Sequence, residues 1–336
     1  MLKDIKITKS VKIAVITGAI ILLILGAGGF IAYNSLFGAP QKQAALQQFT
    51  VPLSVDRNGG VLIDFTLSGS LKERGFIKSE RGFKYALGKF EVQPGAYKIS
   101  KSMNVWQIVD TLKTPYMKWV VIPEGLRKEQ IAEILASELT WNEQQKDDWL
   151  TKYTALNYDY VEGVYFPDTY LIPIGESGSG TASRFIDRFN EKFAPYYDKF
   201  TQANIKWDTA LKIASLVQRE AGSKEDMPLI AGIIWNRLLQ GMKLDIDATL
   251  QYITGQPGNW WGTVKPEYKQ IDSKYNTYLY KGLPPHPICN PGLDAIEAVL
   301  NPTKTDCFYY LHDGNKEIYC AKTYEEHLKN IEKYLK

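Results

Sequence analysis

Cysteine and histidine are scarce in this 336-residue sequence, at three of each. Cys289, Cys307 and Cys320 are too few for a scaffold built on disulfides. None of them stands in a CxxC pair, and His286, His312 and His327 are scattered along the chain. The spacing of a zinc site is therefore missing, and the expectation is no metal and no other cofactor. A large excess of one charge is missing too: 40 basic and 37 acidic residues leave +3, much of it in the first dozen positions, and nothing marks a nucleic-acid partner. From Ile13 to Tyr33 there is no charged side chain at all.

That uncharged run is long enough, as a helix, to cross a hydrocarbon core about 30 Å thick. Lys3, Lys6, Lys9 and Lys12 precede it and the next basic residue is Lys42, so the basic flank is expected to stay in the cytoplasm and the remainder to be exported. A cleaved signal peptide is the competing reading, though the run exceeds a usual signal core. The expected organisation is a cytoplasmic segment 1–12, a membrane helix 13–33, a linker 34–48, a small α+β module 49–140 and a larger mixed α/β domain 141–336.

Within the module an extended run, a glycine turn and an amphipathic helix recur. Phe90 to Gly95 leads to Val105–Leu112, and Trp119–Ile122 with Gly125 leads to a helix whose Ile131, Ile134, Leu135 and Leu139 share a face. Further on, Gly175 to Thr181 reads as a polar loop. Pro228 opens a helix striped by Ile230, Ile233, Ile234 and Leu238 and closed by Gly241. Phe308–Leu311 and Glu317–Ala321 read as a hairpin, and Thr323 with Glu326 as a capping box for the last helix. If Asp313-Gly314 is a two-residue turn, Cys307 and Cys320 face each other across the strands; three separate thiols are the alternative.

The segment from Thr209 to Gly222, TALKIASLVQREAG, carries the chemistry. Asp208 is the expected N-cap, Gly222 the stop, and Ala210, Ile213, Ala214 and Val217 the buried stripe. Glu220 falls on that stripe, where an aliphatic side chain belongs. Burial and the negative helix end both disfavour its charge, so Glu220 is expected to hold a proton near neutral pH and to serve as a catalytic acid and base. The alternatives are a buried glutamate paired with Arg219 or Arg237, or a helix-end charge that simply reaches solvent.

Longer motifs surround it: EGVYFPDTY at Glu162–Tyr170, IASLVQREAG at Ile213–Gly222, IAGIIWNRLLQGMKLDIDATLQY at Ile230–Tyr252, YNTYLYKGLPPHPICNPG at Tyr275–Gly292 and KTYEEH at Lys322–His327. By these the chain resembles the YceG-like family of endolytic murein transglycosylases, also called MltG. The resemblance implies a LysM-like module before the catalytic domain, and cleavage between N-acetylmuramic acid and N-acetylglucosamine that leaves a 1,6-anhydro end. It implies glycan strands of peptidoglycan and the cytoplasmic membrane as partners, with peptidoglycan synthases or division proteins nearby. The family's catalytic glutamate corresponds to Glu220; a second glutamate of some relatives is here Gln218.

Asn236, Asp247, Gln251, Tyr252, Asn276 and Tyr278 are the candidate groove residues, with amide and phenol groups suited to sugar hydroxyls and N-acetyl groups. Asp245 and Asp247 are also candidates for the second carboxyl of a hydrolase, and Asp247 reads equally as a helix cap. His286 stands where the family commonly has glycine, Trp260-Trp261 sit in an insertion-like stretch, and Val51 to Ile77 match the family poorly. A wall-binding scaffold without activity is the rival outside enzymology.

Overall fold

The computed structural model describes residues 9–52, 66–155 and 162–335. Most of Val51 to Ile77, the poorly matching stretch, lies outside them. The chain forms two compact units, Met1–Trp119 and Val120–Lys336.

The first unit opens with α1, Lys9–Phe37, whose stretch Ala14–Phe37 includes an 18-residue window with a mean hydropathy of 2.4 and shows its aliphatic side chains outward. The helix runs past the expected end at residue 33, because Asn34 and Ser35 are polar without breaking a helix. β1, Leu46–Val51, then takes up the last residues of the expected linker. Its first three side chains are exposed, so no apolar alternation announces a strand. α2 (Leu67–Glu73) and α3 (Glu80–Leu87) lead to β2, Gly95–Ser100, which pairs antiparallel with β1 from Leu46↔Ser100 to Val51↔Gly95. β2 begins where a turn was expected. Pro94 has no N–H to give a ladder, and pairing starts just after it. α4, Val105–Thr111, carries a capping box of Asn104 and Gln107. Phe49, Tyr97 and Ile99 from the strands close on Leu71, Phe83 and Ile108 from the helices and on Phe76 from the loop after α2, making one small core. β3, Met117–Val121, leads into the second unit.

There α5, Lys128–Leu139, buries Ile131, Ala132, Leu135 and Leu139 in the large core. The division of the chain thus falls at Trp119, ahead of the expected boundary at 140, because this helix spends its apolar face on the second unit. α6 (Glu143–Asp148) continues as a π turn over Trp149–Tyr153, and β4 is Thr169–Pro173. α7, Gly178–Gln202, starts inside the expected polar loop: Ser177 caps it by accepting the Gly180 N–H, and Gly178 packs on the Tyr153 ring. Then come α8 (Trp207–Glu220), α9 (Met227–Leu239), α10 (Asp247–Thr254), α11 (Leu293–Leu300), the hairpin β5 (Tyr309–His312) with β6 (Ile318–Ala321), and α12 (Tyr324–Tyr334).

α8 is the centre of this unit, packed by α7, α9, α10 and α11. Ala210, Leu211, Ile213, Ala214, Leu216 and Val217 are all buried, so the helix turns a broad apolar face to the core and keeps Asp208, Lys212, Gln218 and Arg219 on its partly exposed side. Its N-cap is Lys206; Asp208 lies inside the first turn and pairs with Lys212, 3.5 Å away. α9 starts as expected at Pro228's first turn, and Gly241 follows it with φ +60°. Thr323 and Glu326 form the predicted capping box. The hairpin loop has five residues, not two, because His312 pairs with Ile318. Cys307 and Cys320 are nonetheless joined, with Cα atoms 5.8 Å apart, and Cys289 is a buried free thiol.

Candidate active site around Glu220

Glu220 is the last residue of α8, and the chain turns to extended backbone at Ala221. Gly222 has an ordinary φ; what it supplies is space, since a Cβ there would press on the His312 ring and the Asp226 carboxylate at 3.1 to 3.2 Å. The helix therefore ends against β5. From that strand the Tyr310 hydroxyl donates to Glu220 Oε2 at 2.6 Å. A second donor is the Ala248 N–H at the start of α10. Part of the Glu220 side chain still meets solvent, while its carboxyl is packed among protein atoms.

Burial raises the Glu220 pKa above the ordinary glutamate value. The Tyr310 hydroxyl, the Ala248 N–H and His312 oppose that rise, and the charge of Asp247 adds to it. Burial, first, and the neighbouring Glu220 push the Tyr310 phenol well up, so it stays a donor. Replacing Tyr310 by Phe removes a donor that favours the carboxylate. The expected result is an alkaline limb of the activity profile moved to higher pH, with turnover lower by about tenfold, read from pH–rate profiles of both proteins.

Neither alternative partner of Glu220 takes it. Arg237 donates to Phe308 O at 2.6 Å and Leu244 O at 2.7 Å, and the Arg219 guanidinium lies 3.9 Å over the Trp261 ring. Asp247 begins α10 but does not cap it; its Oδ1 accepts the Tyr278 hydroxyl at 2.6 Å. Glu220, Asp247 and Tyr278 thus come together, and Tyr278 is sensitive to both carboxylates. Gln251, one turn along α10 from Asp247, donates to Gly262 O at 3.0 Å. Tyr252 lies under the Arg127 guanidinium, 4.3 Å from its ring centroid, and beside Tyr275.

Two expected groove residues have structural work instead. Asn276 is fully buried, donates to Lys269 O and Ile271 O, and accepts the Tyr278 N–H at 2.9 Å, which sets the Tyr278 backbone. Asn236 spends its amide on Thr305 O and Cys307 O. Gln218, the position of the second glutamate in some relatives, accepts the Gly292 N–H at 2.9 Å. Trp260 and Trp261 donate to Glu133 and Gln130. His286 lines a cavity of about 350 Å³ with Trp207 and Lys212. Sequence reasoning missed Tyr310: it stands 90 residues from Glu220 in a strand that reads only as a hairpin arm.

A second buried carboxyl belongs to the framework. Glu162 accepts the Lys128 N–H at 3.0 Å and the Asn290 amide at 2.7 Å, and Asn290 in turn accepts the Tyr165 N–H. Burial, with Glu129 adding, pushes Glu162 up to about 8. The unfolded chain releases this proton near 4.5, so between those pH values the folded state binds more proton than the unfolded one. Its contribution to stability is full below about 4.5 and is lost as pH rises toward 8, by roughly 1.4 kcal/mol per pH unit at most. Urea midpoints measured from pH 5 to 8 should slope down in the parent and flatten in Glu162→Gln.

A packed carboxyl with a raised pKa at a helix end, gripped by a phenol and by the start of another helix, is an arrangement suited to proton transfer. The YceG-like family model matches residues 66–333. The endolytic murein transglycosylase of Bacillus subtilis (strain 168) is 31% identical over 343 residues, covering 93% of this chain and 91% of the relative. That of Streptococcus pneumoniae serotype 2 (strain D39) is 28% identical over 97% of this chain, which spans 66% of the relative's length. The crystal structure of a YceG-like protein from Listeria monocytogenes matches with a TM-score of 0.61 at 26% identity, over 85% of this chain and 98% of that one. The chain belongs to the YceG-like family.

Proposed function

We propose that this chain is a membrane-anchored lytic transglycosylase that cuts peptidoglycan glycan strands internally and leaves 1,6-anhydro-N-acetylmuramoyl ends. The observation that carries the reading is Glu220: one packed carboxyl whose pKa burial raises, held in place by the Tyr310 hydroxyl. Its proton passes to the glycosidic oxygen as the bond from muramoyl C1 breaks, and N-acetylglucosamine leaves with a free 4-hydroxyl. The resulting carboxylate then takes the proton of the muramoyl 6-hydroxyl as O6 bonds to C1. One group serves as acid and then base, and no water enters.

Asp247, beside the acid, is suited to face the positive charge that develops at C1. Tyr278, which donates to Asp247, and Gln251 and Tyr252 on α10 are the groups proposed to meet the glycan, with Asn276 setting Tyr278 and Asn236 bracing the α9 side. Several features support an exported, anchored enzyme: the apolar helix α1, the basic residues before it, and the Cys307–Cys320 bridge, which an oxidising compartment sustains. The order β1–α2–α3–β2 supports a LysM-like module. Peptidoglycan synthases or division proteins are the expected neighbours, and in-cell crosslinking that captures neither would remove them.

Mass spectrometry of purified peptidoglycan after digestion tests the reaction. Anhydro-muramoyl products support the lytic reading. Reducing ends would instead assign a hydrolase with Asp247 as the second carboxyl, and uncut strands a scaffold.

A further inference from the structure

The small module holds the outer end of α1 by aromatic and backbone contacts. Phe37, its last residue, stacks on Trp106 with centroids 5.4 Å apart and lies 5.9 Å from the Tyr85 ring. Trp106 Nε1 donates to the Tyr33 hydroxyl at 3.2 Å, and Lys78 Nζ donates to Asn34 O at 3.3 Å. Gly82 sits so close to the Leu36 carbonyl that a Cβ has no room. α3 and the start of α4 are therefore fixed against the last turn of the apolar helix.

The depth of that turn follows from length. The span Ala14–Phe37 has 24 residues and rises about 36 Å, while the hydrocarbon core is about 30 Å thick. The final turn, Asn34 to Phe37, then lies among lipid headgroups, and whatever is fixed to it lies there too. Tyr85 is 75% exposed and Trp106 42% exposed, which in water leaves two large amphipathic rings unburied. Tyrosine and tryptophan are the side chains that favour the headgroup layer. Arg81 stands one turn before Tyr85 on α3, Lys84 is exposed beside it, and the exposed Lys78 and Lys89 flank the helix. Across residues 78–90 these four cations meet one carboxylate, Glu80, which already accepts the Ser68 hydroxyl. Such a face is complementary to anionic headgroups.

We infer that the α3 face of the module, with Tyr85 and Trp106 as its rings and Lys78, Arg81, Lys84 and Lys89 as its cations, is seated in the headgroup layer of an anionic bilayer. The inference rests on the membrane-anchor reading above. It makes the module a membrane-surface element in addition to any glycan contact.

The test uses the full chain in nanodiscs of phosphatidylcholine and phosphatidylglycerol. Single-cysteine positions Tyr85→Cys and Phe30→Cys carry an environment-sensitive fluorophore; Cys289 is buried and Cys307 and Cys320 are bonded, so labelling without reductant is selective. Doxyl lipids report lipid contact and iodide reports water. The expected result is quenching of both positions by doxyl lipid, with iodide protection at 85. In K78Q/R81Q/K84Q/K89Q, lipid quenching at 85 should fall while that at 30 stays unchanged. A label at 30 that touches lipid while the one at 85 is quenched only by iodide overturns the inference and leaves the anchor standing. Iodide access at 30 overturns the anchor itself, and this inference with it. Lipid contact at 85 that ignores both the charge changes and the phosphatidylglycerol content overturns the role given to the cations.

Discussion

Glu220→Gln is expected to remove most glycan cleavage under the proposed reaction, with the rate of anhydro-product formation falling by about 10²–10⁴-fold, the usual worth of a positioned general acid. The substituted amide would keep an acceptor for the Tyr310 hydroxyl and the Ala248 N–H, but it has no acidic proton to give. Because the parent carboxyl is held at a raised pKa in a packed site, removing its charge costs no folding energy, and the thermal midpoint should hold or rise. Product release quantified by mass spectrometry, beside a thermal melt of the same samples, separates lost chemistry from lost fold. Product formation by this variant within a few-fold of the parent would remove Glu220 from the mechanism. The parent should also lose activity as pH rises through the raised Glu220 pKa, since the acid step needs the protonated form.

Phe193→Ala should unfold the second unit about 10 °C below the parent. Phe193 is fully buried on α7, stacked on Phe189 and Phe200 with ring centroids 5.0 and 5.8 Å away, and met edge-on by Trp207 at 6.1 Å. Trp207 is the first residue of α8, so this aromatic group fixes the helix that carries the acid at its other end. Truncation leaves a cavity that rigid rings cannot fill, at a cost of about 3–5 kcal/mol. Calorimetry of the full chain in detergent measures it. A midpoint within a degree or two of the parent would mean that the rings collapse into the gap and that α7 is not the brace of α8.

Much of the local structure could be read from the residues in order. The uncharged run from Ile13, the stripe and closing glycine of α9, and the capping box of α12 each depend on neighbours within a turn or two, and a one-dimensional pattern records such contacts faithfully. Where the pattern misled, a longer-range partner intervened. Gly178 enters α7 because Ser177 caps it and the Tyr153 ring covers it. Asn276 and Asn236 have the chemistry of sugar ligands, yet backbone carbonyls use their amides first. An amide offers the same donors to a loop as to a glycan, and residue type alone does not choose between them.

The sequence by itself determined the apolar helix, the amphipathic faces and the placing of one carboxyl, Glu220, on the buried stripe at the end of α8. Only the tertiary structure decided the company that carboxyl keeps: the Tyr310 hydroxyl from 90 residues away, the Ala248 N–H and the Asp247–Tyr278 pair. Helical periodicity aims a side chain, but its pKa depends on what stands around it. Those neighbours arrive from separate elements whose meeting has no period in the chain.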